Sequence, residues 1–278
     1  MLNFVKVVCC GSGPITSKAN SRVKHARKVL TNRRVREREG LIFVEGIRLV
    51  LDAVAAKNEP EVLFFTDRAM SKGEYGAAMQ KLISTLPHDR VVYSSEEIMQ
   101  HLTDTENCQG VAAVLKKKQA IAPAQPSLVL ALDRLSDPGN VGTLIRTAAG
   151  AGAHAVFLTK GSADPFGLKT LRAGMGAQFR IPVLPNWEWS DIESYSRERG
   201  LALIVADGSG DVRHYSYDWK EPSMLVVGAE ADGPSEEVLK SADCCVSIPL
   251  AEDSAESLNA AVAGAVILFE AQRQRIVG

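Results

Sequence analysis

LVLALD (128–133), HAVFLT (154–159), LALIVAD (201–207), SMLVVGAE (223–230) and CCVSIPL (244–250) are short apolar runs, and each stops abruptly at a loop. Continuous runs without polar alternation belong to buried strands. Helical stretches separate them: one is predicted over Asn140–Gly150, a short one at PSEEVLKSA, and a long apolar one from Glu256. The first half repeats the scheme, with GLIFVEG, EVLFFT, RVVYS and QGVAAVLK as strands and IRLVLDAVAAK, YGAAMQKLISTL and SEEIMQHL as helices. Before them, Asn20–Arg38 reads as one polar helix whose narrow apolar stripe is Val23, Ala26, Val29 and Leu30. Strands alternating with helices predict α/β units, the first with a mostly parallel sheet.

A chain of 278 residues is comfortable for two domains. The proline- and alanine-rich segment 120–127 is the expected linker, between a domain at 1–119 and another at 128–278. Charge divides at the same place. Residues 1–119 hold 19 Lys and Arg against 13 Asp and Glu, and the remainder 13 against 20, although the whole chain balances to -1. The bases concentrate in KANSRVKHARKVLTNRRVR, ahead of the first acid, Glu37. Such a run is either a solvated helix face or a surface that attracts phosphates.

No apolar run reaches the roughly 18 residues of a membrane span. Five cysteines in no CxxC spacing and with no paired histidines predict neither a metal site nor a disulfide framework, and suit a reducing compartment. The first 14 residues lack the layout of a secretory signal. A cytoplasmic location is expected, with a mitochondrion or plastid as the alternative. VVCCGSGP resembles the start of a dinucleotide fingerprint but lacks its third glycine, so a nicotinamide-dependent dehydrogenase is not expected.

DPGNVGTLIR (137–146) is glycine-rich and then helical, as phosphate-cradling loops are, yet it lacks the Lys and hydroxyl of a Walker loop. Asp137, Pro138 and Gly139 supply a turn, and Asn140 is the expected helix cap. Gly142 and Arg146 lie four apart, hence on one face, where the bare glycine leaves room for a bulky group beside a guanidinium suited to phosphate. Two later blocks share the arrangement of a buried strand ending in a polar loop. LVVGAEADGP puts Gly228 and Glu230 at the carboxyl edge of a sheet, where α/β folds bind ligands. VSIPLAEDSAESLN puts Ser257 and Asn259 at the entrance of the last helix. Each block alone also has a reading as local structure, favoured for the first block taken by itself; their conjunction within one domain points to a site.

Together these blocks resemble the three motifs of the SpoU (TrmH) family of RNA ribose 2′-O-methyltransferases, of the SPOUT superfamily. The first matches at Asn140, Gly142 and Arg146, the second at Gly228 and Glu230, and the third at Ile248, Pro249, Glu256, Ser257, Leu258 and Asn259. The likeness spans about Leu128–Glu270. More loosely, ITSKANSRVKHARKVL through FVEGIRLV resembles the family's small amino-terminal α/β domain, similar to certain ribosomal proteins and used to bind substrate RNA. The resemblance implies a trefoil-knotted catalytic domain and S-adenosyl-L-methionine as methyl donor. It implies cofactor contacts at Thr159, Gly228, Ile248, Leu250 and Leu258, and catalytic or positioning roles for Asn140, Arg146, Glu230, Ser257 and Asn259. A homodimer is implied too, with Arg146 entering the neighbour's active site. Arg22, Lys24, Arg27, Lys28, Arg33, Arg34 and Arg172 become candidate contacts to RNA, ribosomal or transfer. With aromatics at 6%, recognition by shape is expected over base reading. The second block departs from the family's usual Gly-Asn-Glu-Gly…Gly-Leu at Ala231 and Pro234, and Gly174 stands where Ser is frequent. The alternative reading is a catalytically inactive, knotted RNA-binding scaffold.

Overall fold

The computed structural model describes residues 13–71, 73–103, 108–230, 232–251 and 257–277. The chain forms two compact units, Met1–Gln119 with Phe166–Leu168, and Ala120–Pro165 with Lys169–Gly278.

In the first unit α1 (Ser21–Thr31) and α2 (Arg33–Glu39) precede β1 (Leu41–Glu45), α3 (Ile47–Ala55), β2 (Glu59–Phe65), α4 (Asp67–Met70), α5 (Gly73–Thr85), β3 (Val91–Tyr93), α6 (Glu96–Leu102) and β4 (Val111–Lys116). The single helix expected over 20–38 is two, broken at Asn32. Its backbone is extended, its N–H closes α1 on Lys28 O, and its side chain accepts from Val35 N at 3.3 Å to open α2. Asn bonds to nearby backbone better outside a helix than within one, which is why the break falls there. The sheet order is β1-β4-β2-β3, with β4 antiparallel to both its neighbours and only β2–β3 parallel. The mostly parallel sheet predicted for this half is therefore a mixed one. β1, β2 and β3 do run the same way, but β4 enters reversed between the first two. Apolar content selects a central position for β4, whose first five residues are all buried, and carries no information about direction. Val23, Ala26 and Val29 of α1 and Ile98, Met99 and Leu102 of α6 cover Phe43, Phe64 and Val114 of the sheet.

The second unit holds β5 (Leu128–Leu132), α7 (Pro138–Gly150), β6 (Ala155–Thr159), α8 (Leu168–Ala173), β7 (Val183–Trp187), α9 (Trp189–Glu198), β8 (Ala202–Ala206), β9 (Val212–Arg213), β10 (Ser223–Val227), α10 (Glu236–Ser241), β11 (Cys244–Ser247) and α11 (Ala260–Val277). Its sheet runs β7-β6-β5-β10-β8-β11-β9, and every pairing is parallel. β5, β6 and β10 are buried at every residue, as strands sandwiched between helices must be. Trp189, Ile192 and Tyr195 of α9 pack beneath Val129, Phe157, Leu203 and Met224. α11 packs against α7 so closely that a Cβ on Gly264 would stand 2.4 Å from Leu144 Cδ2. The strands without an apolar signature, β7 with its Pro185 and the two-residue β9, are at the edges, where proline and brevity are tolerated. β10 lies between β5 and β8, and β11 between β8 and β9, so the last two strands slot into sheet laid down before them.

Candidate active site

The carboxyl ends of β8, β10 and β11 open into a cavity of about 550 Å³, within the range of small-molecule sites. β8 contributes Ala206, Asp207 and Gly208; β10 leads into Gly228 and Glu230; β11 leads into Ile248, Pro249 and Leu250. Ser257, Leu258 and Ile267 close it from the side of α11. Gly228 is required by contact: a Cβ there would stand 2.3 Å from Pro234 N, because the loop folds back so that Gly233 N bonds to Ala229 O at 3.0 Å.

Beside the cavity a directional chain of hydrogen bonds joins the three sequence blocks. Asn259 Oδ1 accepts from Ala261 N at 2.9 Å and Val262 N at 3.3 Å, capping α11. Its Nδ2 donates to Asn140 Oδ1 at 3.1 Å, and Asn140 Nδ2 donates to Glu230 Oε1 at 2.7 Å. The polarity is forced. A carboxylate only accepts, so Asn140 must present its amide nitrogen to Glu230 and its oxygen to Asn259. Asn140 does not cap α7, as its sequence position suggests. The helix starts two residues earlier, at Pro138, and Asp137 caps it by accepting from Asn140 N at 2.7 Å. That leaves the Asn140 side chain free for the network.

The bare face of Gly142 is also not open, contrary to expectation. A Cβ there would stand 2.5 Å from Thr170 O and 2.8 Å from Gly174 N, so the glycine lets α7 seat against the chain's own turn. Arg146, one turn on, is exposed and makes no hydrogen bond or ion pair with the described residues. Gly174, at the position where serine is frequent in the family, is filled from outside: a Cβ would stand 2.6 Å from the amide of buried Gln178, which donates to Thr170 O and Pro165 O.

Of the expected cofactor contacts, Gly228, Ile248, Leu250 and Leu258 line the cavity and Thr159 does not. Thr159 is buried at the end of β6, where its hydroxyl accepts from Arg134 N at 2.8 Å and donates to Asp133 Oδ1 at 3.2 Å. Of the expected catalytic group, Glu230 and Ser257 line the cavity, with Asn140 and Asn259 tied to Glu230. Asp207 and Arg213 also line it, and sequence reasoning misses both. The signal that could find them is the LALIVAD run, which has the same strand-to-loop switch as the other three. Arg172 is half-buried on the last turn of α8. Ala231 and Glu256 lie outside the described residues. In the first unit Arg22, Lys24, Lys28 and Arg34 are exposed, and with Arg27 they make no ion pair among the described residues, whereas Arg33 is bound to Glu37 at 2.8 Å. The local positive field reaches His101, which burial, then Arg27 and Lys18, hold below the usual histidine range.

The cavity suits the cofactor that the resemblance implies. Val227, Val246, Ile248, Leu250, Leu258 and Ile267 offer apolar wall for a purine, and Asp207 and Glu230 add carboxylates suited to a ligand bearing a sulfonium, an ammonium and ribose hydroxyls. Among the described residues no group of three or more His, Cys, Asp or Glu could hold a metal ion, and no helix is long and apolar enough to cross a membrane.

Comparison with known proteins gives the same picture. Residues 127–269 match the SpoU rRNA Methylase family and residues 20–113 the MRM3-like substrate binding domain. The chain is 30% identical to rRNA methyltransferase 3, mitochondrial, of Homo sapiens, over 91% of this chain and 72% of that protein. It is 31% identical to the 23S rRNA (guanosine(2553)-2'-O)-methyltransferase RlmP of Bacillus subtilis, over 92% and 97%. The crystal structure of an AdoMet-bound rRNA methyltransferase from Sinorhizobium meliloti superposes with a TM-score of 0.82 at 31% identity, covering 94% of this chain and 97% of that one.

Proposed function

The chain belongs to the SpoU rRNA methylase family, and from that premise we propose how its residues divide the work of methylating an RNA ribose. It is an S-adenosylmethionine-dependent RNA 2′-O-methyltransferase. When bound, the cofactor supplies an electrophilic methyl group on a sulfonium. The protein has to hold it, bring a 2′-hydroxyl into line and help that hydroxyl lose its proton; alignment of the reactants accounts for much of such a rate. Gly228, Ile248, Leu250 and Leu258 form the cofactor seat. Arg146 clamps an RNA phosphate beside the hydroxyl and polarises it. A guanidinium stays protonated in proteins, so Arg146 polarises the hydroxyl without taking its proton, which leaves to solvent as the methyl is transferred. Asn140, Glu230, Ser257 and Asn259 hold the ribose and the loops in register.

The observation that carries this reading is the Asn259–Asn140–Glu230 chain, which ties all three blocks at the cavity while leaving Arg146 without a partner among the described residues. A surface salt bridge would have occupied that guanidinium; a substrate clamp has to keep it available. Arg146→Ala is expected to bind S-adenosylmethionine as the wild type does in calorimetric titration and to transfer no methyl to RNA. Methylation at the wild-type rate would refute the assignment.

The substrate proposed is ribosomal RNA, the class that the relatives' names carry. Arg22, Lys24, Arg27, Lys28 and Arg34 track its backbone, and Arg172 adds a contact from the catalytic unit. Arg33, already neutralised by Glu37, contributes least. A homodimer completes the site with the neighbour's Arg146. The exposed stripe Val262, Val266, Phe269 and Ile276 on α11 supports it, since these positions share one face while Ala261, Gly264, Leu268 and Ala271 bury the other. The trefoil knot belongs to the same reading, supported by the insertion of β10 between β5 and β8. Cys108, Cys244 and Cys245 are unpaired thiols, in keeping with a reduced compartment that holds ribosomes, the cytoplasm or an organelle matrix.

A further inference from the structure

Among the described residues that line the cavity, Arg213 is the one cation, and none of the roles above uses it. It ends β9, paired through Arg213 with Ser247 of β11. Its Nη1 donates to Ser247 Oγ at 3.0 Å, and Ser247, buried to 1% exposure, donates onward to Gly210 O at 2.7 Å. The turn that carries Gly210 is itself fixed. Asp207 Oδ1 accepts from Ser209 N at 2.7 Å and Ser209 Oγ at 2.5 Å, and a Cβ on Gly210 would stand 2.8 Å from Cys245 C. The guanidinium is therefore anchored at one corner by a buried hydroxyl. Among the described residues it has no ion pair, and its remaining N–H donors have no partner.

A guanidinium with no ion pair among the described residues, in a cavity whose other described charges are Asp207 and Glu230, suits a ligand with one carboxylate among cationic and hydroxyl groups. S-adenosylmethionine has that distribution: a single carboxylate at the end of its amino-acid tail, next to an ammonium, with a sulfonium and a ribose diol further along. We propose, on the reading of this cavity as the cofactor seat, that Arg213 recognises the α-carboxylate of S-adenosylmethionine. It thereby distinguishes the intact cofactor from adenosyl compounds without that group. Arg serves here where Lys would serve less well, because its planar fork keeps paired donors for a carboxylate after one corner has been spent on Ser247.

The test is a thermodynamic cycle on the full chain, titrating S-adenosylmethionine and decarboxylated S-adenosylmethionine into wild type, Arg213→Met and Arg213→Lys by calorimetry, with thermal melts to confirm folding. Wild type is expected to prefer the intact cofactor by roughly 10- to 100-fold, the range of one charge-assisted hydrogen-bonded contact. Arg213→Met should lose that preference while binding the decarboxylated probe as the wild type does, and Arg213→Lys should fall between. Equal weakening of both ligands would overturn the proposal by showing that Arg213 only secures the β9–β11 edge. So would an undiminished preference, or a defect confined to RNA affinity, which would assign Arg213 to a nucleic-acid phosphate. Failure of wild type to bind either ligand would remove the cofactor reading itself, and is told apart from the other outcomes by the wild-type titration alone.

Discussion

Asn259 does two jobs with two atoms. Its Oδ1 caps α11 and its Nδ2 holds Asn140, so the helix start that a local reading suggests and the site that a functional reading suggests meet in one side chain. The jobs can be separated. Asp caps a helix as well as Asn does but has no N–H to give. Asn259→Asp is therefore expected to keep the melting temperature of the wild type while lowering the methylation rate. Asn259→Ala should lose both, with about 1 kcal/mol of stability going with the cap; chemical denaturation alongside a methyl-transfer assay reads the two effects. Gly142→Ala is expected to destabilise by about 1–3 kcal/mol, the usual cost of overpacking, because its neighbours are backbone atoms of the 170–174 turn that cannot rotate away. The residue types of the site are legible in the sequence: Asn140, Glu230 and Asn259 stand out as polar residues at strand-to-loop switches. Their partnership is not. Asn140 is 90 residues from Glu230 and 119 from Asn259, and a spacing of that length fixes no contact. Thr159 escapes a sequence reading for a related reason, since a hydroxyl at a strand end can face a ligand or its own sheet, and Asp133 decides for the sheet.

Helices and strands show where apolar pattern is sufficient information and where it fails. β5, β6 and β10 are legible because unbroken burial leaves an unbroken run, and β8 and β11 because their partly buried ends are still apolar; β7 and β9 are not, because edge strands need no such run. α11 is apolar on both faces, and the last turns are pinned by polar contacts. Glu270 accepts from Nε and Nη2 of Arg273, each at 2.8 Å, and from Gln274 Nε2 at 2.8 Å. The Arg273 bonds, opposed by burial and reinforced by Gln274, hold its carboxyl at about 2 against an ordinary 4.5. A lowered folded-state value means that the stabilisation is complete above about pH 4.5 and disappears as the pH falls toward 2. The melting temperatures of wild type and Glu270→Gln should accordingly converge through that window, and a gap of constant size would contradict the account. On α1 the prediction concerns salt. Every RNA phosphate that a side chain neutralises adds roughly 0.7–0.9 to the steepness with which log affinity falls against log salt. Replacing Arg22, Lys24 and Lys28 together by Ala is expected to flatten that dependence by about two to three and to weaken binding alike for RNAs of different sequence, as filter-binding titrations would measure.

For the molecule as a whole, the proposed sharing of an active site between two protomers makes a prediction that no single-chain property can imitate. Arg146→Ala lacks the proposed clamp, and Ile248→Arg fills the proposed cofactor seat. Each is expected to be inactive alone, while a refolded mixture should recover roughly one quarter of wild-type activity, because half of the random dimers carry one intact site out of two. Phe269→Asp, on the exposed face of α11, should give a monomer in sedimentation experiments that keeps its fold but not its activity. The order in which the cavity is assembled has a further consequence. Every described residue lining it, from Ala206 to Ile267, comes after β1 to β7 in chain order, so those strands are made before any part of the cavity exists. A ligand stabilises only what can bind it, so the methyl donor cannot template those earlier strands as they emerge from the ribosome. The early strands must find their pairing unaided, and a bound donor stabilises only chains in which the cavity has already formed.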